Sequence, residues 1–530
     1  MRFFNTAGPV DCQEHYCIPP LERLGLDEIL MLIAQRKYLV LHAPRQTGKT
    51  SCLLALMGYL NEAGQHRALY ANVEGAQAMR EDVPPALRLV VQTIALRAQD
   101  VLGDREAKPL ADSVLASTEP GAALEAFLTA WSQGSDRPTV LVLDEVDALV
   151  GDTLISLLRQ LRGGYDKRPS LFPQSIILCG VRDVRDYRIH SDREKAIITG
   201  GSAFNIKAKS LRLGDFTRDE VERLYAQLTA ETGQVFTADA LDAAWELSCG
   251  QPWVVNALAY ETCFEMKDNR DRTRPIAAET MLQAKEHLIE RRETHLDQLA
   301  DKLREARVRR VVQPMLAGET LDETALVEDL QYVLDLGLVR RGPEGPQMAN
   351  GIYREVIPRE LTYITQLNFE ATVRPVWYVR PDGRLDMVNL LEGFQEFFRE
   401  HAEHWVERFD YKEAGLQLLL QAFLQRIVNG GGRVEREYGL GRRRTDLLVV
   451  WTAGATGEAQ KAVIELKVLH HSMQRTIQEG LAQTVEYVDR CGAEEAHLVV
   501  FDRAPGKSWE EKLFRQEQMH AGRTVTIWGM

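Results

Sequence analysis

The stretch Ala43-Pro44-Arg45-Gln46-Thr47-Gly48-Lys49-Thr50-Ser51 constrains this chain more than any other. It stands between an apolar run, Tyr38 to His42, and a helical pattern, Thr50 to Leu60. In a strand, a glycine-containing loop and a helix in that order, successive backbone N–H groups and the helix N-terminus converge on phosphates. Lys49 adds a point charge there and the Thr50 hydroxyl is suited to ligate Mg²⁺. Pro44, Arg45, Gln46, Thr47, Gly48 and Ser51 complete the expected cradle. ATP and Mg²⁺ are therefore the expected cofactors. The first glycine of the P-loop pattern is replaced by Ala43, so a Gly-Lys-Thr helix start with no ligand is the competing reading.

The flanking pattern continues the βαβ theme. A strand is expected at Ala68 to Val73, helical periodicity at Val83 to Val101, and wholly apolar strands at Pro138 to Leu143 and Ser175 to Gly180. Continuous Val/Leu runs indicate parallel strands covered on both faces, so residues 1–213 read as a doubly wound α/β ATPase core. Asp144 and Glu145 follow the strand that ends at Leu143. An acid at the carboxyl end of a parallel strand beside a P-loop can hold the Mg²⁺ shell, and the next acid, Glu145, can polarise the attacking water. Two adjacent acids after a strand are also common in loops.

At Gly214 the character changes. Thr217-Arg218-Asp219-Glu220 is a capping box, and helical patterns run on to Ala306, which makes 214–306 a helical lid domain. Residues 307–365 carry shorter helices and the stretch Gly337 to Gly342, as in the wing of a winged helix. A charged and aromatic helical connector, 366–412 with its helices at Asn389 to Phe409, leads into a last αβ unit, 413–530. A length of 530 residues accommodates about three to four domains.

Composition limits the partners. With 45% hydrophobic and 27% charged residues the chain is an ordinary globular protein, and a net charge of −13 rules out a polycationic nucleic-acid coat. That deficit is uneven: residues 413–530 hold 15 Lys plus Arg and 15 Asp plus Glu, so all of it lies before residue 413. No apolar run approaches the length of a membrane span, and the N-terminus lacks an apolar leader with a cleavage site. No membrane partner and a cytoplasmic location are expected. Seven cysteines, odd in number and without a CxxC pair, read as reduced core thiols.

The C-terminal unit carries a second chemistry. Gly439 to Arg444 reads as a polar turn feeding a strand that begins at Asp446, and Lys461 to Val468 forms the next strand. Asp446 and Glu465, 19 residues apart, then lie on neighbouring strands, and alternation puts Glu465 and Lys467 on one face. Two carboxylates that can hold Mg²⁺ and a lysine that can orient water or offset developing charge suffice for phosphodiester hydrolysis. A lone Glu-x-Lys is a frequent surface tripeptide; the order of helix, hairpin, two acid-bearing strands, a helix carrying Gln483 and Tyr487, and a final strand at Ala496 to Phe501 makes it specific. Arg433, Arg436, Arg442, Arg443 and Arg444 flank Asp446 and are suited to a phosphate backbone, or form a solvated loop with Glu435 and Glu437. His470, His471 and His497 are not at metal-ligand spacing with any cysteine.

Two resemblances follow. The opening Phe4 to Val10 before His15-Tyr16, the P-loop, the Asp144-Glu145 pair and Cys249-Gly250-Gln251-Pro252 together resemble the STAND and archaeal ATPase clade of the AAA+ lineage. That likeness implies that Gly250 and Pro252 of the lid lie against the nucleotide and that Tyr16 cradles the adenine. It also implies that Arg182 is a sensor of the γ-phosphate; a helix stop and restart at Gly250-Gln251-Pro252 and a surface arginine at 182 are the plainer readings. The C-terminal unit resembles the PD-(D/E)xK, restriction-endonuclease-like nucleases, with Thr445 where the proline would stand. This second likeness implies Asp446 and Glu465 as metal ligands, Lys467 as the catalytic lysine, Gln483 beside it and Glu413 as an acid from the preceding helix; ordinary helix-surface residues are the alternative for the last two. The whole then reads as an α/β multidomain chain: a P-loop NTPase parallel sheet with helical lid and winged helix, joined to a restriction-endonuclease-like α/β/α domain. It implies an ATP-controlled, Mg²⁺-dependent nuclease acting on nucleic acid, DNA before RNA. Homo-oligomeric or ATP-dependent self-assembly is expected, with anti-phage or mobile-element defence by analogy. The alternative is a regulatory or signalling ATPase whose nuclease-like domain only binds DNA or a partner, and a DNA-processing motor with a nuclease tail is a third reading.

Overall fold

The computed structural model describes the chain apart from residues 1, 184–187, 192–195, 200–203, 292–293, 318–326, 344, 358–377, 407–419, 422, 425–431, 441–442, 453–458, 470–471 and 503–506. It divides into two compact units. One comprises Met1–His295 with Gln331–Ile352, the other Leu296–Leu330 with Tyr353–Met530.

The first unit is built on five parallel strands, β1 (Tyr38–His42), β2 (Arg67–Asn72), β3 (Thr139–Asp144), β4 (Ser175–Gly180) and β5 (Lys207–Arg212), in the order β2-β3-β4-β1-β5. Alternation explains why the central strands are apolar throughout. Leu39, Leu41, Val140 and Val142 join one core. Tyr38, Val40, Leu141 and Leu143 join the other. Both cores are helix-covered, by Leu26–Ala34 and Lys49–Glu62 on one side and by Val83–Leu102, Pro120–Gln133 and Gly151–Gly163 on the other. The sheet is thus a P-loop NTPase-like parallel sheet with its P-loop strand between β4 and β5.

The helical segment follows as Arg218–Thr232, Ala238–Ser248, Pro252–Tyr260 and Ala278–Glu290. The capping box is present: the Glu220 amide donates to the Thr217 hydroxyl, and the Thr217 amide to the Glu220 carboxylate. Val339–Gly342 and Gly345–Met348 form a two-stranded antiparallel hairpin.

In the second unit six strands, β6 (Gly432–Leu440), β7 (Arg443–Trp451), β8 (Gln460–Val468), β9 (Glu495–Phe501), β10 (Phe514–His520) and β11 (Arg523–Gly529), form a mixed sheet in the order β6-β7-β8-β9-β11-β10. The β8/β9 and β9/β11 pairs are parallel and the rest antiparallel. The helix Met387–Val406 packs on the face of Leu447, Val449 and Ile464. The helix Met473–Cys491 packs on the opposite face, with Leu448, Val450 and Val463.

Four expectations are corrected. The strand bearing Asp446 begins at Arg443, not at the acid, because antiparallel pairing with β6 recruits the polar residues before it. Arg433 and Arg436, read as part of a loop, lie on a strand of that hairpin. Ala496 to Phe501 is not the last strand, since β10 and β11 follow it. The cysteines are not all reduced core thiols: Cys12 and Cys17 form a disulfide, and Cys249 is half-buried, while Cys52, Cys179, Cys263 and Cys491 are buried and free.

Candidate functional site

The P-loop turns on two left-handed residues, Gln46 at φ 57° and Gly48 at φ 89°. Such turns aim consecutive N–H groups inward, and Gly48 also caps the helix Lys49–Glu62. A side chain at Gly48 is disfavoured by that left-handed backbone, and its Cβ would displace the tip of Arg23, whose Nη1 would lie 2.8 Å away. Lys49 is buried, and its Nζ donates to the carbonyls of Ala43 and Pro44 at 2.9 Å each. Thr47 is fully buried and its hydroxyl donates to the Pro44 carbonyl at 2.9 Å.

Parallel pairing of β2 with β3 and of β3 with β4 brings Asp144 to this loop. The Thr50 hydroxyl donates to Asp144 Oδ2 at 2.9 Å, so a hydroxyl and a carboxylate oxygen, both hard-cation ligands, already share one point. Tyr70 donates to the same oxygen at 2.9 Å. Burial, then the Asp144 charge, drives the Tyr70 phenol upward, so it stays a donor. The Glu145 amide donates to Asp144 Oδ1 at 2.9 Å, which fixes the left-handed turn at Glu145, φ 57°. Burial raises the Glu145 carboxyl above the ordinary range; Asp147 and Asp144 add to this and Lys49 opposes it.

The N-terminal segment reaches the same place. The Val10 amide donates to the Ser51 hydroxyl at 2.9 Å, and Trp253 of the helix Pro252–Tyr260 donates to the Thr6 carbonyl at 3.0 Å. Tyr16 pairs through β-bridging with Phe4, and its buried ring packs on Phe4 at 4.9 Å with Arg2 at 5.0 Å. Burial, reinforced by Glu231, pushes its phenol up to about 12. The ring of Tyr16 is a core element of this segment.

Gly250 is left-handed at φ 82°, and a Cβ there would meet the Phe216 carbonyl oxygen at 1.9 Å. The Phe216 amide donates to the Gly250 carbonyl at 2.8 Å. Pro252 opens the helix Pro252–Tyr260, whose Val254 amide donates to Gln251 Oε1 at 2.6 Å. A helix stop and restart does occur here, and it is held against Phe216, just before the helix Arg218–Thr232. Arg182 lies against Tyr332 and Asp335: its Nε is 3.8 Å from Asp335 Oδ2 and its guanidinium is 4.9 Å from the Tyr332 ring centroid.

In the second unit, Glu465 is 3% exposed and accepts a hydrogen bond from Lys467 Nζ at 2.8 Å, as one face of β8 requires. Asp446 stands on β7 directly before Leu447, which pairs with Ile464, the residue before Glu465. Continuing that antiparallel register by one step sets the Asp446 and Glu465 backbones opposite each other. Gln483 and the buried Tyr487 are on the helix Met473–Cys491, which covers this face, and Gln483 Oε1 is buried with no hydrogen-bond partner among the described residues. The side chains of Asp446, Arg433, Arg436, Arg443 and Arg444 and the whole of Glu413, Arg442, His470 and His471 lie outside the described residues. Among the described residues no group of three His, Cys, Asp or Glu is gathered closely enough to hold a metal.

Sequence reasoning missed Tyr70, Arg23 and Phe216. Tyr70 lies 74 residues before Asp144, and only the β2/β3 register makes them neighbours.

Among solved structures, the chain is similar to the Walker-type ATPase PABY2304 of Pyrococcus abyssi, at 17% identity and TM-score 0.46 over 67% of this chain and 99% of that one. It is also similar to the ORC2 protein of Aeropyrum pernix, at 14% identity and TM-score 0.41 over 66% of this chain and 96% of that one. The RuvB Holliday junction branch migration motor of Thermotoga maritima gives 14% and 0.33 over 63% and 96%. No protein-family model and no curated protein matches the chain. Among the described residues no helix is long and apolar enough to cross a membrane.

Proposed function

We propose that the chain is an ATP-binding and ATP-hydrolysing switch that controls a Mg²⁺-dependent nuclease domain. The observation that carries the ATPase half is the Thr50 hydroxyl on Asp144 Oδ2 at 2.9 Å beside a left-handed P-loop turn. Those two residues would hold Mg²⁺, which would draw charge from the phosphates when bound. Lys49, on moving from the Ala43 and Pro44 carbonyls to phosphate oxygens, exchanges two neutral acceptors for charged ones. Glu145, with its carboxyl raised by burial, is the group to orient and deprotonate water. Gly250, Pro252 and Arg182 are the lid and sensor contacts of this reading.

The nuclease half rests on the Glu465–Lys467 contact, with Asp446 one register step away on β7. Asp446 and Glu465 would hold the divalent cation, with Gln483 and Glu413 as flanking groups and DNA as the preferred substrate. Self-assembly under nucleotide control, and a role in defence, are parts of this proposal. The test is cleavage of supercoiled plasmid with Mg²⁺, with and without ATP. Asp446→Ala and Lys467→Ala should each abolish nicking with folding intact; unchanged cleavage removes the nuclease assignment.

A second reading is favoured by the same contact, because the Glu465 carboxylate is already neutralised by Lys467. In that reading the domain binds DNA or a partner without cutting. It expects ATP turnover, lost in Lys49→Ala, and DNA binding with no cleavage under any divalent cation.

A further inference from the structure

Arg23 ends the short helical turn Pro20–Arg23 and precedes the P-loop in sequence, outside every motif that marks it. Its two terminal nitrogens donate to carbonyls from different parts of the unit: Nη1 to Thr47 in the P-loop at 2.7 Å, and Nη2 to Gly214, where the lid begins, at 2.8 Å. Its guanidinium also lies 4.6 Å from the Phe216 ring centroid. Phe216 in turn donates its amide to the Gly250 carbonyl, beside the Gln251 cap of the helix Pro252–Tyr260. One side chain thereby spans the P-loop, the first residues of the lid and, through Phe216, the Gly250 turn.

Steric fit makes the bridge tight at its Gly250 end, where a Cβ would lie 1.9 Å from the Phe216 carbonyl oxygen; at Gly48 a Cβ would lie 2.8 Å from Arg23 Nη1, the movable tip of that side chain. Desolvation lowers the pKa of the Arg23 guanidinium, and the nearby Asp215 and Glu220 charges oppose that shift. A planar fork with five donors satisfies two carbonyls and a ring face together, which a lysine cannot do.

We propose that Arg23 is a positioning residue that couples occupancy of the P-loop to the placement of the lid. This rests on the P-loop binding ATP. A phosphate drawn onto the P-loop amides re-aims the same peptide units whose Thr47 carbonyl Arg23 holds, and the arginine passes that adjustment to Gly214 and Phe216. Without it the P-loop and the lid respond separately.

The test is amide hydrogen exchange on the full chain, with and without Mg²⁺ and a non-hydrolysable ATP analogue, in wild type, Arg23→Ala and Arg23→Lys, with ATP turnover measured in parallel. In wild type the analogue should slow exchange at 46–50 and also at 214–218 and 250–254. In both variants protection at 46–50 should persist while that at 214–218 and 250–254 is lost. Turnover should fall about tenfold with KM within about threefold. Arg23→Lys retains the charge on a single donor nitrogen without the fork, so it keeps the test valid where Arg23→Ala fails to fold. Lid protection that survives in a folded variant overturns the coupling while leaving ATP binding intact. Loss of analogue binding in both variants also overturns it, by making Arg23 part of the cradle. A wild type without any protection at 46–50 overturns the ATP reading and the coupling with it.

Discussion

At the scale of single residues, Asp144 gathers three donors, Thr50 and Tyr70 onto Oδ2 and the Glu145 amide onto Oδ1. Replacing Glu145 by Gln should leave ATP bound, as read by calorimetric titration, and slow phosphate release by about 10² or more. The raised Glu145 carboxyl gives this a pH signature. A base works deprotonated, so turnover should fall as pH drops through a pKa above the usual carboxylate range, and Glu145→Gln should lack that acidic limb. Thr50, Asp144 and Glu145 were legible in the sequence because loop spacing and the end of an apolar strand announce them. Tyr70 was not, because a tyrosine inside a strand carries no local signal of what faces it.

At the scale of elements, the helical segment after Gly214 carries two separable tests. Gly250→Ala places a Cβ against the Phe216 carbonyl in a left-handed turn, so it should cost about 2–4 kcal/mol in urea unfolding, more than an ordinary surface substitution. His295, buried at 7% exposure and stacked 4.6 Å from Trp253, has its pKa lowered by burial to about 4. The unfolded chain takes up this proton near pH 6.5 and the folded chain only near 4. Stability is therefore complete above pH 6.5 and lost as pH falls toward 4, by about 3 kcal/mol from this group. His295→Gln should flatten that part of the pH–stability curve; an unchanged slope removes the assignment. The capping box at Thr217 and the strand at Ser175–Gly180 agree with the sequence expectation, because both are set by local hydrogen bonding and apolar runs. The polar strand β6 and the start of β7 were not foreseen, because only mutual pairing makes residues such as Arg436 and Arg443 extended.

At the scale of the whole molecule, charge is divided: the net −13 belongs to residues before 413, and 413–530 is neutral with arginines bracketing Asp446. If those arginines meet a nucleic-acid backbone, replacing Arg442, Arg443 and Arg444 by Ala should reduce the slope of log affinity against log salt for duplex DNA by about 2–3, measured by fluorescence anisotropy. An unchanged slope excludes them from the interface. The sequence by itself determined the P-loop between strand and helix, the apolar parallel strands with Asp144 at one tip, the capped start of the helix Arg218–Thr232 and the Glu465–Lys467 alternation. All of these follow from neighbours a few residues apart or from strict periodicity. Only the tertiary structure decided that Tyr70 and Thr50 share one carboxylate oxygen, that Arg23 joins the carbonyls of Thr47 and Gly214, and that Arg182 rests on Asp335. It also decided that two further strands complete the C-terminal sheet. The reason is physical: such contacts depend on strand order and register, which bring residues far apart in the chain within hydrogen-bonding reach, and no local pattern encodes which strands will be neighbours.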